Sequence, residues 1–494
     1  MTLQLSARCL AEGIRTGELE AERVVGDHIR RVQQLNPGVN ALVADRFEMA
    51  MAEARAVDGL TERDRTDRPL LGVPFSVKEM IAVEGMPATF GCGNRRHRRA
   101  SADATVVGRL RAAGAIVLGV TNVPEWGMWY ETYNHVYGRT NNPWDPGRTA
   151  GGSSGGEAAL VGMGGSAFGV GTDIGGSIRM PAAFCGVYGH RPSGGLLPLT
   201  GIYPVYSDPT DSPIPGVPAT RRAPSLAVGP LARAARDLPL LLQVMAGPDG
   251  VDPNAASMVL RDADTVSWSG RTVVLLPEPD IRLAAGAASS VAAAVQSAGA
   301  ALSGLGANVV EAPAGLFRRA ADAWFSALQA EGGPGFSELL GGGRQVSPIR
   351  ETLRALAGRS EYSWPALFFA LGEVLGKRGT RRMRSAQEET VRMAARFRDL
   401  TGDDGILIMP VHPRPAPRHN APVLRPFDFL YTAVFNTLRA PATSVPYGFD
   451  EHGLPLAVQV AAPHGRDDLS LAAAITLEAT LPAWRPAPAT MATA

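Results

Sequence analysis

Ser153 and Ser177 each follow directly on a Gly-Gly step, within the stretch GGSSGGEAALVGMGGSAFGVGTDIGGSIRMP that spans residues 151–181. Glycine adopts backbone angles closed to other residues and lets a partner come close to the main chain. A serine on such a backbone presents its Oγ and leaves neighbouring N–H groups free, which suits a hydroxyl nucleophile and the oxyanion it creates. The run Ile174, Gly175, Gly176, Ser177 can aim successive N–H groups at one point. A Gly/Ser linker would share the small residues but would be polar throughout. This stretch instead carries Leu160, Val161, Met163, Phe168, Val170 and Ile174, which call for burial. It reads as a packed turn region.

A hydroxyl nucleophile also needs a base. None of the eight histidines lies in a Ser-His-Asp signature, although His190 and His412 are candidates by residue type. Ser–Lys catalysis is the other established solution. Lys78 follows the apolar Val73, Phe75 and Val77 in LLGVPFSVKEMIAV, residues 70–83. Strand alternation turns it towards solvent, on the opposite face from those residues. Burial would instead disfavour the ammonium form and leave a usable base. From the residues alone, the solvated lysine is the reading.

The positioning elements follow from apolar periodicity. Leu10, Ile14, Val24, Val25, Ile29, Val32 and Leu35 predict two helices on either side of Gly17, closed by Pro37 and Gly38. A charged helix over 47–58 leads to a polar loop, and ATVVGRLRAAGA into AIVLGV is an α-to-β step of a layered fold. Trp126, Met128, Trp129, Tyr130, Tyr133 and Tyr137 cluster in a chain only 6% aromatic. They form either one end of the core or a wall of an apolar pocket. Beyond a Pro-rich loop at 202–224, GPLARAARDLPLLLQVMAG reads as a helix with a Pro start. Residues 250–405 are Ala-rich and mainly helical, with strands at 272–276 and near 308–310. Residues 349–375 read as two apolar helices, the second opened by Pro365, followed by Lys377, Arg378, Arg381, Arg382 and Arg384. That pattern fits core plus a solvated basic face; its alternative is a cap that touches lipid or guides an apolar substrate. The C-terminal part returns to α/β texture. It holds a strand at 406–410, two strands joined by a DEHG turn, a closing helix and a frayed tail.

Composition narrows the partners. With 494 residues, 45% hydrophobic and 19% charged, the chain can bury a sizeable core. A net charge of +1 offers no basic excess for nucleic acid or an anionic membrane. Cys9, Cys92 and Cys185 lack metal spacing and fit a reducing compartment, with Cys185 a buried structural thiol. The early charges exclude a secretory signal, and no run reaches the ~18 apolar residues of a membrane span. A cytoplasmic protein is expected.

The chain resembles the amidase signature family over most of its length. GVPFSVKE (72–79), GGSSGG (151–156) and GTDIGGSIRMPAAFCG (171–186) carry the resemblance, in order and at family spacing, with GPLARAARDL (229–238) in support. It implies an α/β amidase signature fold with a large mixed β-sheet core covered by helices on both faces. One domain over 1–494 is expected, comprising a helical scaffold (1–69), the catalytic core (70–240), a variable helical region and substrate cap (241–405), an α/β return (406–485) and a tail (486–494). The resemblance makes Ser177 the nucleophile, Ser153 a bridging serine on a cis peptide bond, and Lys78 a buried neutral base, which reverses the solvated reading. Ile174, Gly175, Gly176 and Ser177 become the oxyanion hole, Asp173 and Arg179 a structural ion pair, and Ser154 and Thr172 supporting hydroxyls. The implied reaction is hydrolysis of a linear carboxamide through an acyl-enzyme, with no metal and no cofactor.

Within the family, MWYETYNHVYGRTNNPWDP, GGSIRMPAAFCGVYGHRPS and RPFDFLYTAVFNTLRAPATSVP resemble the fatty-acid amide hydrolases of the second, vertebrate type, without their N-terminal membrane anchor. This implies a small-molecule apolar acyl or aryl amide as substrate, fatty-acid amides among them. It sets Trp126, Gly127, Met128 and Trp129 along the pocket and makes the region near 350–375 a cap for peripheral membrane contact. A homodimer is compatible with this reading. The alternatives are a non-lipid amidase of xenobiotic or natural-product metabolism, an amidotransferase subunit with a protein partner, and an inactive ligand-binding scaffold.

Overall fold

The computed structural model describes residues 2–203, 223–331, 335–341, 344–375 and 380–488. Most of the Pro-rich loop at 202–224, the basic Lys377 and Arg378, and the last six residues of the tail therefore lie outside the described residues. The strands are β1 (Leu42–Asp45), β2 (Pro74–Lys78), β3 (Ile116–Thr121), β4 (Tyr133–Asn134), β5 (Gly138–Arg139), β6 (Phe168–Asp173), β7 (Tyr188–Arg191), β8 (Ala227–Ala232), β9 (Thr272–Leu275), β10 (Asn308–Glu311), β11 (Ile406–Pro410), β12 (Ala442–Phe449) and β13 (Pro455–Ala461). Eleven of them form one sheet in the order β1-β3-β2-β6-β8-β7-β12-β13-β11-β9-β10, and β4 and β5 pair separately. The sheet is mixed. β2 runs parallel to both β3 and β6, whereas β8, β7, β12 and β13 pair antiparallel in succession. The fold is α/β.

Every residue of β2, β3, β6 and β8 is buried. Phe75 and Val77 point to one face of β2, Ser76 and Lys78 to the other, and all four are fully enclosed. A parallel run of strands has both faces covered because its crossovers return over the sheet. The alternation that sends Lys78 to solvent presumes one open face, and here there is none. That reading is corrected.

Helix spans follow the apolar spacing closely. Helices Ala7–Thr16 and Ala21–Val39 flank Gly17, which caps the first in a left-handed conformation (φ 80°). Pro37 does not close the second helix as expected. It lies in the last turn, which ends at left-handed Asn40 (φ 54°). The segment 229–247 divides where one helix was expected. Gly229 to Ala232 belong to β8, deep in the sheet, and the helix is Asp237–Met245. Pro230 argues against a central strand, but the pairing of β7 with β8 stops at Gly189↔Leu231, one residue short of it.

In the variable region, Leu367 and Ala370 of helix Trp364–Leu375 are buried beside Met80, Phe90 and Trp126. Ile349, Leu353 and Leu356 of helix Pro348–Leu356, with Trp364 and Phe368, are exposed. The core reading thus holds for one face of this helix pair and fails for the other. Among the described residues, no helix is long and apolar enough to cross a membrane.

Helix Gly155–Gly162 packs its first turn directly onto backbone. A Cβ on Gly156 would lie 2.5 and 2.6 Å from the Asn122 N and O atoms and 2.8 Å from Ala41 O. Main chain cannot swing aside as a side-chain tip can, so Gly156→Ala is expected to destabilise the fold by roughly 1–3 kcal/mol. A urea midpoint equal to that of the unmodified protein would refute this close approach.

Candidate active site

β2 and β6 are adjacent and parallel, so their carboxyl ends open on the same edge of the sheet, where α/β folds place ligands. Lys78 is the last residue of β2. Beyond β6, residues 174–178 form a loop that carries Ser177 and feeds helix Arg179–Cys185. Ser153 lies just before helix Gly155–Gly162, and the Gly152–Ser153 peptide bond is cis. Gly152 passes so close to residues 129–131 that a Cβ would sit 2.6 Å from Trp129 O.

These three segments converge. Lys78 Nζ donates to Ser153 Oγ at 2.7 Å and to Thr172 Oγ1 at 2.8 Å. The Ser154 N–H donates to the Ser177 carbonyl at 3.1 Å, which ties the two serine loops together. Ser154 Oγ and the Thr172 backbone bond to one another at 3.3–3.4 Å. Ser177 is 8% exposed, against 3% for Ser153 and 0% for Lys78. The burial gradient runs from the Ser177 loop inwards to the lysine.

Burial brings the Lys78 ammonium down to about 7, against the pull of Asp173 and Glu157, which raise it. A lysine that titrates near neutrality is half deprotonated there and can accept a proton. Glu157 faces the same region from helix Gly155–Gly162, with Ser76 Oγ and Thr121 Oγ1 donating to its two carboxyl oxygens. Burial pushes its carboxyl up to about 8, offset in part by those hydroxyls and by Lys78.

The loop after β6 is held by a fully buried ion pair. Arg179 Nε and Nη2 each donate to Asp173 at 3.0 Å, while Nη1 donates to Thr432 O and Gln459 Oε1 and Nη2 also reaches Asn436 Oδ1. Burial alone would raise the Asp173 carboxyl; Arg179 outweighs it and holds the group well below the usual carboxylate range. Asp173 accepts from the N–H groups of Gly176 (2.8 Å) and Ile178 (3.1 Å). Of the four N–H groups expected at an oxyanion, that of Gly176 is therefore engaged by Asp173 in this geometry. Thr432 Oγ1 donates to Gly175 O, and Trp324 Nε1 donates to Ile174 O. At Gly176 (φ 118°) a Cβ would overlap Thr432 Oγ1, so glycine is required there.

The loop 126–129 borders the site. A Cβ on Gly127 would lie 3.5 Å from Ser153 Oγ. Trp126 is buried against Phe90 and Tyr203; Trp129 is buried beside Tyr130, Phe368 and Phe369; Met128 is half-buried. The two histidines weighed as bases are bonded elsewhere. His190 joins Thr443 and Asp467, and His412 Nδ1 meets Arg414 O. Cys185 is buried with its thiol pushed up by desolvation, and it donates to Ala150 O.

The sequence profile of the Amidase family matches residues 23–471. The chain belongs to the amidase family. It is 38% identical over 500 residues to fatty-acid amide hydrolase 2-A of Danio rerio and 37% identical over 501 residues to fatty-acid amide hydrolase 2 of Homo sapiens, each alignment covering 98% of this chain and 90% of the relative. The solved structure of 6-aminohexanoate cyclic dimer hydrolase superposes with a TM-score of 0.79 at 28% identity, over 98% of this chain and 99% of that one. This amidase is accordingly a hydrolase of amide C–N bonds.

Two carboxyls of the amidase escaped the reading of the sequence. Glu157 is a lone acid in the apolar helix that follows GGSSGG, and that isolation was a usable signal. Glu125 is buried with its carboxyl pushed up to about 7 by desolvation, and it accepts the Ser363 N–H at 2.7 Å, linking the loop at 126–129 to the start of helix Trp364–Leu375. No sequence signal joins positions so far apart. Arg179→Ala would leave Asp173 as an unpaired buried charge, at a cost of about 3–5 kcal/mol. Chemical denaturation measures this, and a loss below 1 kcal/mol would show that the pair does not hold the loop.

Proposed function

We propose that this amidase cleaves linear, mainly apolar carboxamides through a Lys78–Ser153–Ser177 relay. The observation that carries the reading is the enclosed 2.7 Å contact of Lys78 with Ser153, next to a serine loop of greater exposure. Neutral Lys78 takes a proton from Ser153 as Ser153 takes one from Ser177, whose Oγ attacks the substrate carbonyl. Backbone N–H groups of Ile174, Gly175 and Ser177 stabilise the oxyanion, joined by Gly176 if its bond to Asp173 yields. The relay then returns a proton to the leaving amine, and water hydrolyses the acyl-enzyme.

An apolar acyl group is supported by the similarity to two fatty-acid amide hydrolases and by the aromatic surroundings of Trp126, Met128 and Trp129. The exposed Ile349, Leu353, Leu356, Trp364 and Phe368, interspersed with exposed Arg350, Arg354 and Arg359, support peripheral membrane contact of this face. The similarity to a hydrolase of 6-aminohexanoate cyclic dimer favours a second reading, an amidase for small non-lipid amides.

Ser177→Ala is expected to lower turnover of every cleaved amide by roughly 10⁴-fold or more. In the unmodified protein kcat/KM should rise with pH through a midpoint near 7, because only the neutral lysine starts the reaction. A persistent rate in the variant would remove Ser177 from the mechanism, and a profile flat from about pH 5 to 9 would remove Lys78. Amine release from an amide panel separates the substrate readings. Rates that climb from short to long acyl chains support the lipid-like substrate, and a preference for small aryl or aminoacyl amides overturns it.

A further inference from the structure

Glu157 is a fully buried carboxyl that the relay does not use. Three strands build its slot. Ser76 and Lys78 lie two residues apart on β2 and so share a face of the sheet. Thr121 is the register partner of Lys78 on β3, and Gly169 is that of Ser76 on β6. Glu157 reaches down onto this face. It accepts from Ser76 Oγ and, at 2.7 Å, from Thr121 Oγ1, and a Cβ on Gly169 would overlap its Oε1. The sheet has therefore given up a side chain to seat one carboxyl beside the lysine.

Two acids act on Lys78, and they differ in how their charge is answered. Asp173 is bidentate to Arg179, with Arg191 also lowering its proton affinity. Glu157 has hydroxyl partners, and the charged group acting on it is Lys78. Glu79, next to Lys78 in the chain, directs its carboxylate to the N–H groups of Thr89 and Phe90 and towards the Tyr137 hydroxyl. Of the two acids that act on Lys78, Glu157 is thus the one with no ion pair among the described residues.

We propose that Glu157 is a positioning residue: its carboxyl, seated on the same face of the sheet as Lys78, raises the lysine's proton affinity and so sets the pH at which the lysine can draw the Ser153 proton. This deepens the reading of Lys78 as the base and rests on it. Burial drives the lysine down and the carboxyl up, to about 7 and about 8, so both change charge over the same pH range. Without a nearby acid, a lysine sealed in a sheet would be too weak a base to draw the serine proton. During attack the Ser177 proton moves to Ser153 as the Oγ–acyl bond forms, and the Ser153 proton moves to Lys78. When the C–N bond breaks, these transfers reverse and the leaving nitrogen takes the proton. Lys78 and Ser153 regain their initial protonation states with the acyl group on Ser177, and water then releases the acid and restores the Ser177 hydroxyl.

The test is the pH profile of kcat/KM on one simple amide, read by amine release, for the unmodified protein, Glu157→Gln, Thr121→Val and Lys78→Ala. Replacing the carboxyl by a neutral amide removes what raises the lysine's proton affinity, so E157Q should move the acid limb to lower pH by roughly one unit. T121V removes a hydrogen bond that favours the ionised carboxylate, and should move the limb the same way by less. An E157Q rate lowered at every pH with the limb in place, or a limb moved upwards, overturns the proposal. If E157Q does not fold, the T121V limb decides, and an unmoved limb overturns it. Lys78→Ala keeps the two readings apart. Activity with an unchanged profile in K78A removes the lysine as base, whereas a dead K78A beside unmoved E157Q and T121V limbs removes only the role of Glu157.

Discussion

A lysine ammonium taken wholly out of water is the constraint around which this fold is arranged. Desolvating an isolated cation costs several kcal/mol, and a protein avoids that cost by pairing the charge or neutralising the group. Lys78 does some of each. Its Nζ donates to Ser153 and Thr172, while Asp173 and Glu157 oppose the full effect of burial. The result is an amine near neutrality, which suits the proton transfer proposed for it. The enclosure itself comes from the sheet, because β2 lies between two parallel neighbours and both its faces are covered.

The opposite solution operates a few residues away. Asp173 and Arg179 stay charged in the interior because their geometry is bidentate and their remaining valences are met by Gln459, Asn436, Thr432 and backbone N–H groups. Buried pairs of this kind add little net stability and are destructive to break in half. What this one supplies is shape. It ties the start of helix Arg179–Cys185 to the end of β6 and to helix Leu430–Thr437, so the loop with Ser177 is fixed from both ends. A charged structural pair and a near-neutral lysine coexist because Asp173 is committed to Arg179, whereas the Glu157 carboxyl is met by two hydroxyls.

Glycine enters the site by exclusion of volume more than by flexibility. At Gly152 and Gly156 backbone passes against backbone, and at Gly169 and Gly176 a missing Cβ makes room for Glu157 and Thr432. The variable region meets this core beside the loop at 126–129 as well as through β9 and Trp324. Trp129 touches Phe368 and Phe369, and Glu125 holds the N–H of Ser363, so the loop beside Ser153 and the helix over it are in direct contact.

The sequence by itself determined the fold class and many of the helix and strand spans, because apolar periodicity is a local signal, and the order of its motifs, through the family resemblance, brought Lys78, Ser153 and Ser177 forward as candidates. It left the environment of Lys78 open, since alternation says which face a residue takes but not whether that face is covered. Pro230 in β8 and Pro37 inside its helix show the same limit. Local propensity was overruled at Pro230 by a strand already demanded by its neighbours, and at Pro37 by a helix that runs on to Val39 although proline supplies no N–H for the Gln33 carbonyl. Only the tertiary structure brought Glu157 beside Lys78, Asn436 and Gln459 onto Arg179, and Ser363 onto Glu125. Charge in a protein interior is governed by what stands within a few ångströms, and those neighbours come from strands and helices far apart in the chain.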